Sequence, residues 1–497
     1  MRSSSAPVAR WDQGTDVGGA LVNRVFQRTV GLAVIVIVVL AAGLLWWGIA
    51  ATDPPTLWAP AQLTLAGVWE VMYSTELPNL AVLATALGIA LLLVLLVVVS
   101  ERIVASRYRR AGAEVTKLTL APRAVMARTR GVFAGDVTVT VLIPAHNEEA
   151  SLPETLRSLR QQTTPPTRVI VVADNCTDGT VRVAREHGAD VFETVGNTHK
   201  KGGALNQALA DLLPVLGDND AVMVMDADSQ IGAGYLSEAI RRFTNDRALM
   251  SVGGLFSGEQ GHGMLGQFQR NEYFRYQREI QRREGRVFVL TGTASVFRAS
   301  GLRAVAEARG TQLPGRRGDV YDTFALTEDN ELTIALKSLG GLTISPPECS
   351  VVTELMPTWR MLWAQRLRWQ RGALENLGAY GVTPQTLRYW AQQIGIGYGV
   401  LALFSYFALI LLMIMSMDTW VWFPFWLGIG VLFAVERVVT VWRGGWRARI
   451  VAALVIPELV YDCFLNLAFL KGVFEIAFGR SATWKHVEHG SARGATA

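Results

Sequence analysis

Cysteine is nearly missing from this chain: Cys176, Cys349 and Cys463 are the three in 497 residues. They lie far apart, without the spacing of a disulfide frame or a zinc site, and free thiols suit a reducing cytosol. Charge is sparse too, at 18% of residues, with 47 Lys and Arg against 42 Asp and Glu. No basic stripe interleaved with aromatic residues runs along the chain, so nothing argues for a nucleic-acid groove. Two nucleotide signatures are also lacking. No Gly-x-Gly-x-x-Gly sits between a strand and a helix, which counts against a dinucleotide cofactor, and there is no Walker-type Gly-x-x-x-x-Gly-Lys-[Ser/Thr]. Internal repeats and low-complexity segments are not evident.

What the chain has instead is apolar length, since half of its residues are hydrophobic. Runs at 30–51 and 80–99 are each long enough to cross about 30 Å of hydrocarbon at about 1.5 Å per residue. The first exceeds the apolar core of a signal peptide and is followed by a second span. Between them, TDPPTLWAPAQLTLAGVWEVMYSTELPN carries acids but no Lys or Arg, whereas ERIVASRYRRAGAEVTKLTLAPRAVMARTR after the second is rich in Arg. The positive-inside rule therefore places the connection outside and the chain after Glu101 in the cytoplasm, where basic clusters meet the anionic leaflet of the plasma (inner) membrane.

From about residue 137 to 353 short strand-like runs alternate with helix-like stretches, the pattern of an α/β domain with a mostly parallel sheet. VTVTVLIP ends in AHNEE, RVIVV ends in ADNCTDGT, and AVMVM ends in DADSQ. Each strand stops in carboxylates and amides at its C-terminal end, the edge where open α/β sheets bind ligands. Asp226 and Asp228 are two apart, so extended backbone points both the same way. Facing carboxylates repel unless a cation lies between them, and hard oxygen ligands favour Mg²⁺ or Mn²⁺ with phosphate oxygens completing the shell. An isolated Asp-Ala-Asp also suits a solvated loop. THKKGGALNQAL, just upstream, puts Lys200, Lys201 and two glycines at a helix start, which suits a diphosphate. Glu148 and Asp174 end the other two strands; both a turn or cap role and a role in holding a base or ribose are open.

In FALTEDNELTIALKSLGG, Thr327 can cap a helix whose first turn holds Glu328, Asp329 and Glu331, acids favoured there by electrostatics alone. Beside a metal-diphosphate site, Asp329 becomes the candidate carboxylate for deprotonating an attacking hydroxyl. Further on, QRLRWQRG combines three arginines with a tryptophan. Guanidinium matches phosphate in charge and geometry and an indole packs on a pyranose face, while both residue types also anchor helices at headgroup depth.

The ordered set AHNEE, ADNCTDGT, KKGGALN, DAD, TED and QRLRW resembles the membrane-integrated family 2 glycosyltransferases, the group containing cellulose, chitin, hyaluronan and poly-N-acetylglucosamine synthases. It covers about 137–372 plus flanking spans. The resemblance implies a GT-A fold (a Rossmann-like mixed sheet) as a cytoplasmic domain inserted between transmembrane helices, and an inverting reaction with a nucleoside-diphosphate sugar, usually a UDP-sugar. By position, Glu148 and Asp174 resemble the residues that hold uridine, and Lys201 the lysine near the donor. Asp226 and Asp228 match the Asp-x-Asp that binds nucleotide and metal. Asp329 matches the general base, with Glu328 beside it. Gln365 and Arg368 would approach the diphosphate, and Trp369 would form the acceptor platform on an amphipathic helix at the cytoplasmic membrane surface; Trp359 and Trp363 read as anchors. TGTASVFR keeps Gly292, Phe297 and Arg298 of the acceptor-side segment but not its second glycine. GLRAVAEARGTQLPGRRGDVYDTFAL reads as a long basic loop.

The expected organisation is a cytoplasmic tail (1–29), a two-helix transmembrane hairpin (30–100), a basic linker (101–136), the GT-A domain (137–355), interface helices with QRLRW (356–393), C-terminal transmembrane helices (394–478) and a basic tail (479–497). Runs at 394–415 and 420–435 read as spans joined outside near Asp418, and Arg443, Arg447 and Arg449 mark a cytoplasmic return. A single crossing by 450–470, which holds Pro457, Glu458 and Asp462, would put Arg480, Lys485 and Arg493 outside. That run is therefore expected to be broken or re-entrant, unless the tail is external. Glu458 and Asp462 share one face, and a polysaccharide passage and a helix-packing bond are both open. Expected partners are a sugar nucleotide, a carbohydrate or lipid-linked acceptor and the bilayer, with no nucleic acid. Transfer of a single sugar to a polyprenyl or glycolipid acceptor would use the same donor site. A nucleotidyltransferase would release pyrophosphate and leave TED and QRLRW without a task, and a non-catalytic scaffold would bind neither nucleotide nor metal.

Overall fold

The computed structural model describes residues 136–246, 249–282, 285, 287–415, 421–422 and 424–480, with two short strands near the N-terminus. The expected spans at 30–51 and 80–99, the basic linker and the tail beyond Arg480 lie outside the described residues. The two strands, β1 (Ala61–Leu65) and β2 (Trp69–Tyr73), pair antiparallel.

The three β-branched and apolar runs picked out above form β3 (Val139–Ala145), β4 (Arg168–Ala173) and β6 (Ala221–Met225), with the short β5 (Asp190–Glu193) beyond β4. β3 pairs in parallel with both β4 and β6, and β4 with β5. On the other side of β6 the sheet turns mixed. β10 (Ala294–Arg298) runs antiparallel to β6 and to β8 (Leu249–Gly253), and β11 (Leu342–Ile344) closes the edge in parallel with β8. The order is β11-β8-β10-β6-β3-β4-β5, and a smaller sheet holds β7 (Gln230–Ile231), β12 (Ser350–Thr353) and β9 (Leu255–Gly258).

Alternate strand residues feed two cores. Leu142, Val172, Val222 and Val224 face α3 (Lys200–Leu212), α6 (Ala299–Ala308) and α7 (Glu328–Ser338). Val141, Ile143, Val171 and Met223 face α1 (Leu152–Arg160), α2 (Thr180–Glu186) and α4 (Tyr235–Asn245). Both faces are covered, which explains unbroken apolar strands; each buried aliphatic side chain contributes about 1.5–3 kcal/mol.

The stretch read as a basic loop holds no helix or strand from Arg309 to Thr327, and Arg316 and Arg317 are exposed. Its start is helical, in α6, and Arg309 just after that helix is fully buried. Its guanidinium pairs with both carboxylate oxygens of Glu331, at 2.7 Å each, and donates to the carbonyls of Val320 and Pro314. Asn206 of α3 accepts from the amides of Val320 and Tyr321. Paired charge inside the domain, not surface charge, holds this segment.

QRLRW lies on α8 (Trp359–Tyr380), begun by Thr358, whose hydroxyl accepts from the Met361 amide, and stopped by Gly381 at φ 70°. Trp359 and Trp363 pack on Phe464, and Trp359 also on Phe268 and Tyr461, so protein rings cover part of the two expected anchors. After α9 (Leu387–Met415), the strand β13 (Val421–Trp422) pairs with β2, followed by α10 (Pro424–Thr440), α11 (Gly445–Ala453) and α12 (Ile456–Ala477). Among the described residues no single helix is long and apolar enough to cross a membrane; 442–453 and 456–477 pass that test only as a pair bent by 90°. The expected break thus falls beside Pro457, at Val455, whose φ is +56°. Glu458 is buried on Asn271 and Arg275 of α5 (Gly263–Arg282) and on Arg437 of α10, and Asp462 pairs with the same arginine. These acids join helices to one another, in line with the packing reading.

Candidate active site

The end of β6 and the starts of α3 and α7 build the site. β6 stops at Met225, and the next amide, of Asp226, donates to the carbonyl of Thr293 at 3.1 Å. Ala227 is buried while Asp226 and Asp228 are half-exposed, as expected for two side chains leaving a strand on one side. α3 starts beside them. Lys200 has φ +55°, and Asn197 accepts from the His199 amide while donating to the Lys200 carbonyl. The second glycine of KKGG is required by this turn, because a Cβ on Gly203 would lie 2.2 Å from Asn197 Oδ1.

Lys201 is the centre of the charges. Its Nζ lies 2.6 Å from Asp226 Oδ1 and 3.1 Å from Glu328 Oε1. Burial alone would lower its pKa, but Asp226 and Glu328 outweigh this and hold it well above the usual lysine value. Asp226 is raised to about 6 by burial, against the attraction of Lys201 and with repulsion from Asp228 added. Burial also pushes Glu328 up, yet Lys201, its own backbone amide and Arg368 bring the net shift below the usual value.

Asp329 sits next to this group. The amide of Gly292 donates to its Oδ2 at 3.1 Å, and the Asn330 amide to its Oδ1 at 2.7 Å. Burial, then the charge of Glu328, raises it to about 6. A small pocket lined by Lys201, Gly292, Tyr321, Glu328 and Asp329 opens between these groups. Gly292 leaves little room, since a Cβ there would lie 3.3 Å from Lys201 Nζ and 3.4 Å from Asp329 Oδ2.

The QRLRW side chains approach from α8. The charge of Arg368 acts on both Glu328 and Lys200, lowering the pKa of Lys200 after burial has done most of it. Gln365 Oε1 is buried with no hydrogen-bond donor among the described residues. Trp369 is partly exposed, and the guanidinium of Arg366 lies 4.3 Å from its ring centroid. An orphaned acceptor and a partly exposed indole are groups that a polar, ring-shaped ligand with a donor hydroxyl would satisfy.

Residues 140–305 match the model of the family described as Glycosyl transferase family 2. That stretch is about a third of the chain and falls within the α/β domain. The domain's curated relatives include a Bacillus subtilis (strain 168) protein named "Probable glycosyltransferase YdaM", 30% identical over 247 residues, or 47% of this chain and 54% of that one. Another is the poly-beta-1,6-N-acetyl-D-glucosamine synthase of Staphylococcus epidermidis, 25% identical over 246 residues, 48% of this chain and 55% of that one. The chain thus spans about half the length of these relatives. Among solved structures, a mannosyltransferase from Pyrobaculum calidifontis in complex with GDP-Man and Mn²⁺ aligns with a TM-score of 0.43 and 16% identity, covering 79% of this chain and 99% of that one.

In the domain, Lys201, Asp226, Glu328 and Asp329 come together, and Arg368 is close enough to act on the group. Asp174 and Glu148 are more committed to their loops. Asp174 accepts from Thr194, Asn175 and Asn197, and Glu148 accepts from Ser151 at the start of α1. Asn197 links Asp174 to Lys200, so Asp174 shapes the turn that presents the lysines. Phe297 packs in the core and also lines the pocket, whereas Arg298 is buried on the carbonyls of Leu249, Phe243 and Asp246 and is structural. Sequence reasoning missed Asn197 and Tyr321. The polar run GNTH before KKGG could have pointed to the first; Tyr321 reaches the pocket only through the fold.

Proposed function

We propose that this chain is a membrane-bound inverting glycosyltransferase that moves a sugar from a nucleoside-diphosphate sugar, a UDP-sugar by the family pattern, to a growing polysaccharide. The observation that carries this is the meeting of Lys201, Asp226, Glu328 and Asp329 at the C-terminal edge of the sheet. A relative named as a polysaccharide synthase supports chain extension. The pairing of Val421–Trp422 with β2 supports a cytoplasmic α/β domain in the plasma (inner) membrane, because both segments belong to connections expected outside.

Asp226 and Asp228 fit a hard divalent cation, Mg²⁺ or Mn²⁺: two oxygen donors on one side of an extended strand end, both side chains partly exposed. Bound there, the cation would supply positive charge to the diphosphate. Glu148 and Asp174 then lie on the nucleotide side. Asp329 takes the proton of the acceptor hydroxyl, and that oxygen bonds to the anomeric carbon. The bond from this carbon to the diphosphate breaks with its electron pair on the departing oxygen, and Lys201 and Arg368 stabilise that charge. Gln365 faces the diphosphate and Trp369 carries the acceptor ring. One displacement turns an α-linked donor into a β-linked product.

Only ionised Asp329 can accept the proton, and its pKa is raised to about 6. The transfer rate is therefore expected to rise with pH through about 6 and then level off; a flat profile from roughly pH 5 to pH 8 would contradict this base. Products from a labelled donor test the wider reading. A ladder of lengths supports polymer synthesis and a single lipid-linked species supports one-step transfer, while release of pyrophosphate overturns glycosyl transfer.

A further inference from the structure

The helical face of α8 that carries Gln365, Arg368 and Trp369 continues from Arg368 through Gly372, Asn376 and Tyr380 in steps of four residues. This continuation is clamped onto the start of α7. Asn376, 3% exposed, donates from Nδ2 to the carbonyl and the hydroxyl of Thr327, at 3.1 Å each, and to Asn330 Oδ1 at 3.4 Å. Thr327 and Asn330 bracket Glu328 and Asp329. Gly372 lets the helices touch, since a Cβ there would lie 2.6 Å from Thr327 Oγ1, and Tyr380 closes the stripe on Glu331.

We propose that Asn376 is a positioning residue that fixes the acceptor platform at its working distance from the base. This rests on the glycosyl-transfer reading above. Asn376 touches neither sugar nor nucleotide; it acts through Thr327 and Asn330 on the helix start that aims Asp329. Donor contacts at Asp226 and Lys201 come from other elements and stay in place when the clamp loosens, and Gln365 and Arg368 lie two turns or more before Asn376 on α8. Loosening the clamp misplaces the acceptor hydroxyl, whereas water can attack without any platform.

The test uses the purified chain in detergent with the labelled donor that a panel of UDP- and GDP-sugars shows to be turned over. Sugar transferred to product and sugar released by hydrolysis are measured together. Asn376→Ala is expected to lower the ratio of transfer to hydrolysis about tenfold or more, with donor KM within about twofold of wild type, because a misplacement near 1 Å can cost that much. Thr327→Val, which keeps the backbone acceptor, is expected to move the ratio the same way by less, and Thr327→Ser to restore it. If Asn376→Ala does not fold, the Thr327 pair decides the matter. Equal loss of transfer and hydrolysis, or a raised donor KM at an unchanged ratio, overturns the positioning role and leaves the function standing. A wild-type chain that turns over no donor overturns the function, and this role falls with it.

Discussion

Asp329→Asn is expected to lower kcat for sugar transfer by about 10²–10⁴-fold, the range over which a positioned general base acts. The amide keeps the size of the carboxylate, and its one oxygen can still accept from Gly292 at 3.1 Å, with the bond from the Asn330 amide to the other oxygen given up. What disappears is the proton acceptor. Lys201 stays paired to Asp226 and Glu328, whose carboxylates the substitution leaves unchanged, so nucleotide affinity measured by calorimetry should stay near wild type. The paired prediction is a separation of binding from turnover. Loss of nucleotide binding in step with activity would instead make Asp329 a donor-site residue, and an unchanged kcat would remove it from the chemistry.

The second large effect concerns folding. Arg309→Ala should destabilise the α/β domain by about 3–5 kcal/mol, since deleting one partner of a buried ion pair leaves the other uncompensated. Glu331 is 1% exposed, and without Arg309 it would keep only Tyr380 as a close donor among the described contacts. Replacing both charges, as Arg309→Met with Glu331→Leu, should cost much less, because no charge is then stranded. Thermal unfolding of the three proteins in one detergent compares them directly. A single variant as stable as wild type would mean that the segment before α7 is held by its backbone contacts to Asn206 and not by this pair.

The parts that could be read from the sequence are those written locally. Apolar runs ending in AHNEE, ADNCTDGT and DADSQ became β3, β4 and β6 because strands covered on both faces leave an unbroken apolar pattern. Thr327 and the acids after it marked the start of α7, and Pro457 lies at the bend before α12. What stayed hidden depends on distant partners. Arg309 looks like surface charge until Glu331 is placed beside it, and Asn376 looks like an ordinary helix residue until α8 meets α7. The antiparallel insertion of β10 between β6 and β8 has no local signature either, since strand direction is decided by the path of the chain. The same applies to Glu458, whose burial on Arg275 and Arg437 makes an acid in an apolar run a joint between helices.

The most direct measurement is nucleoside-diphosphate release by the purified chain, in detergent with Mn²⁺ or Mg²⁺, across a panel of UDP- and GDP-sugars with Asp329→Asn alongside. Release from one donor, lost with the cation chelated and lost in the variant, is the expected result, and it names the sugar. No release from any donor, by a folded chain that still binds nucleotide and is supplied with acceptor, would contradict glycosyl transfer at this site.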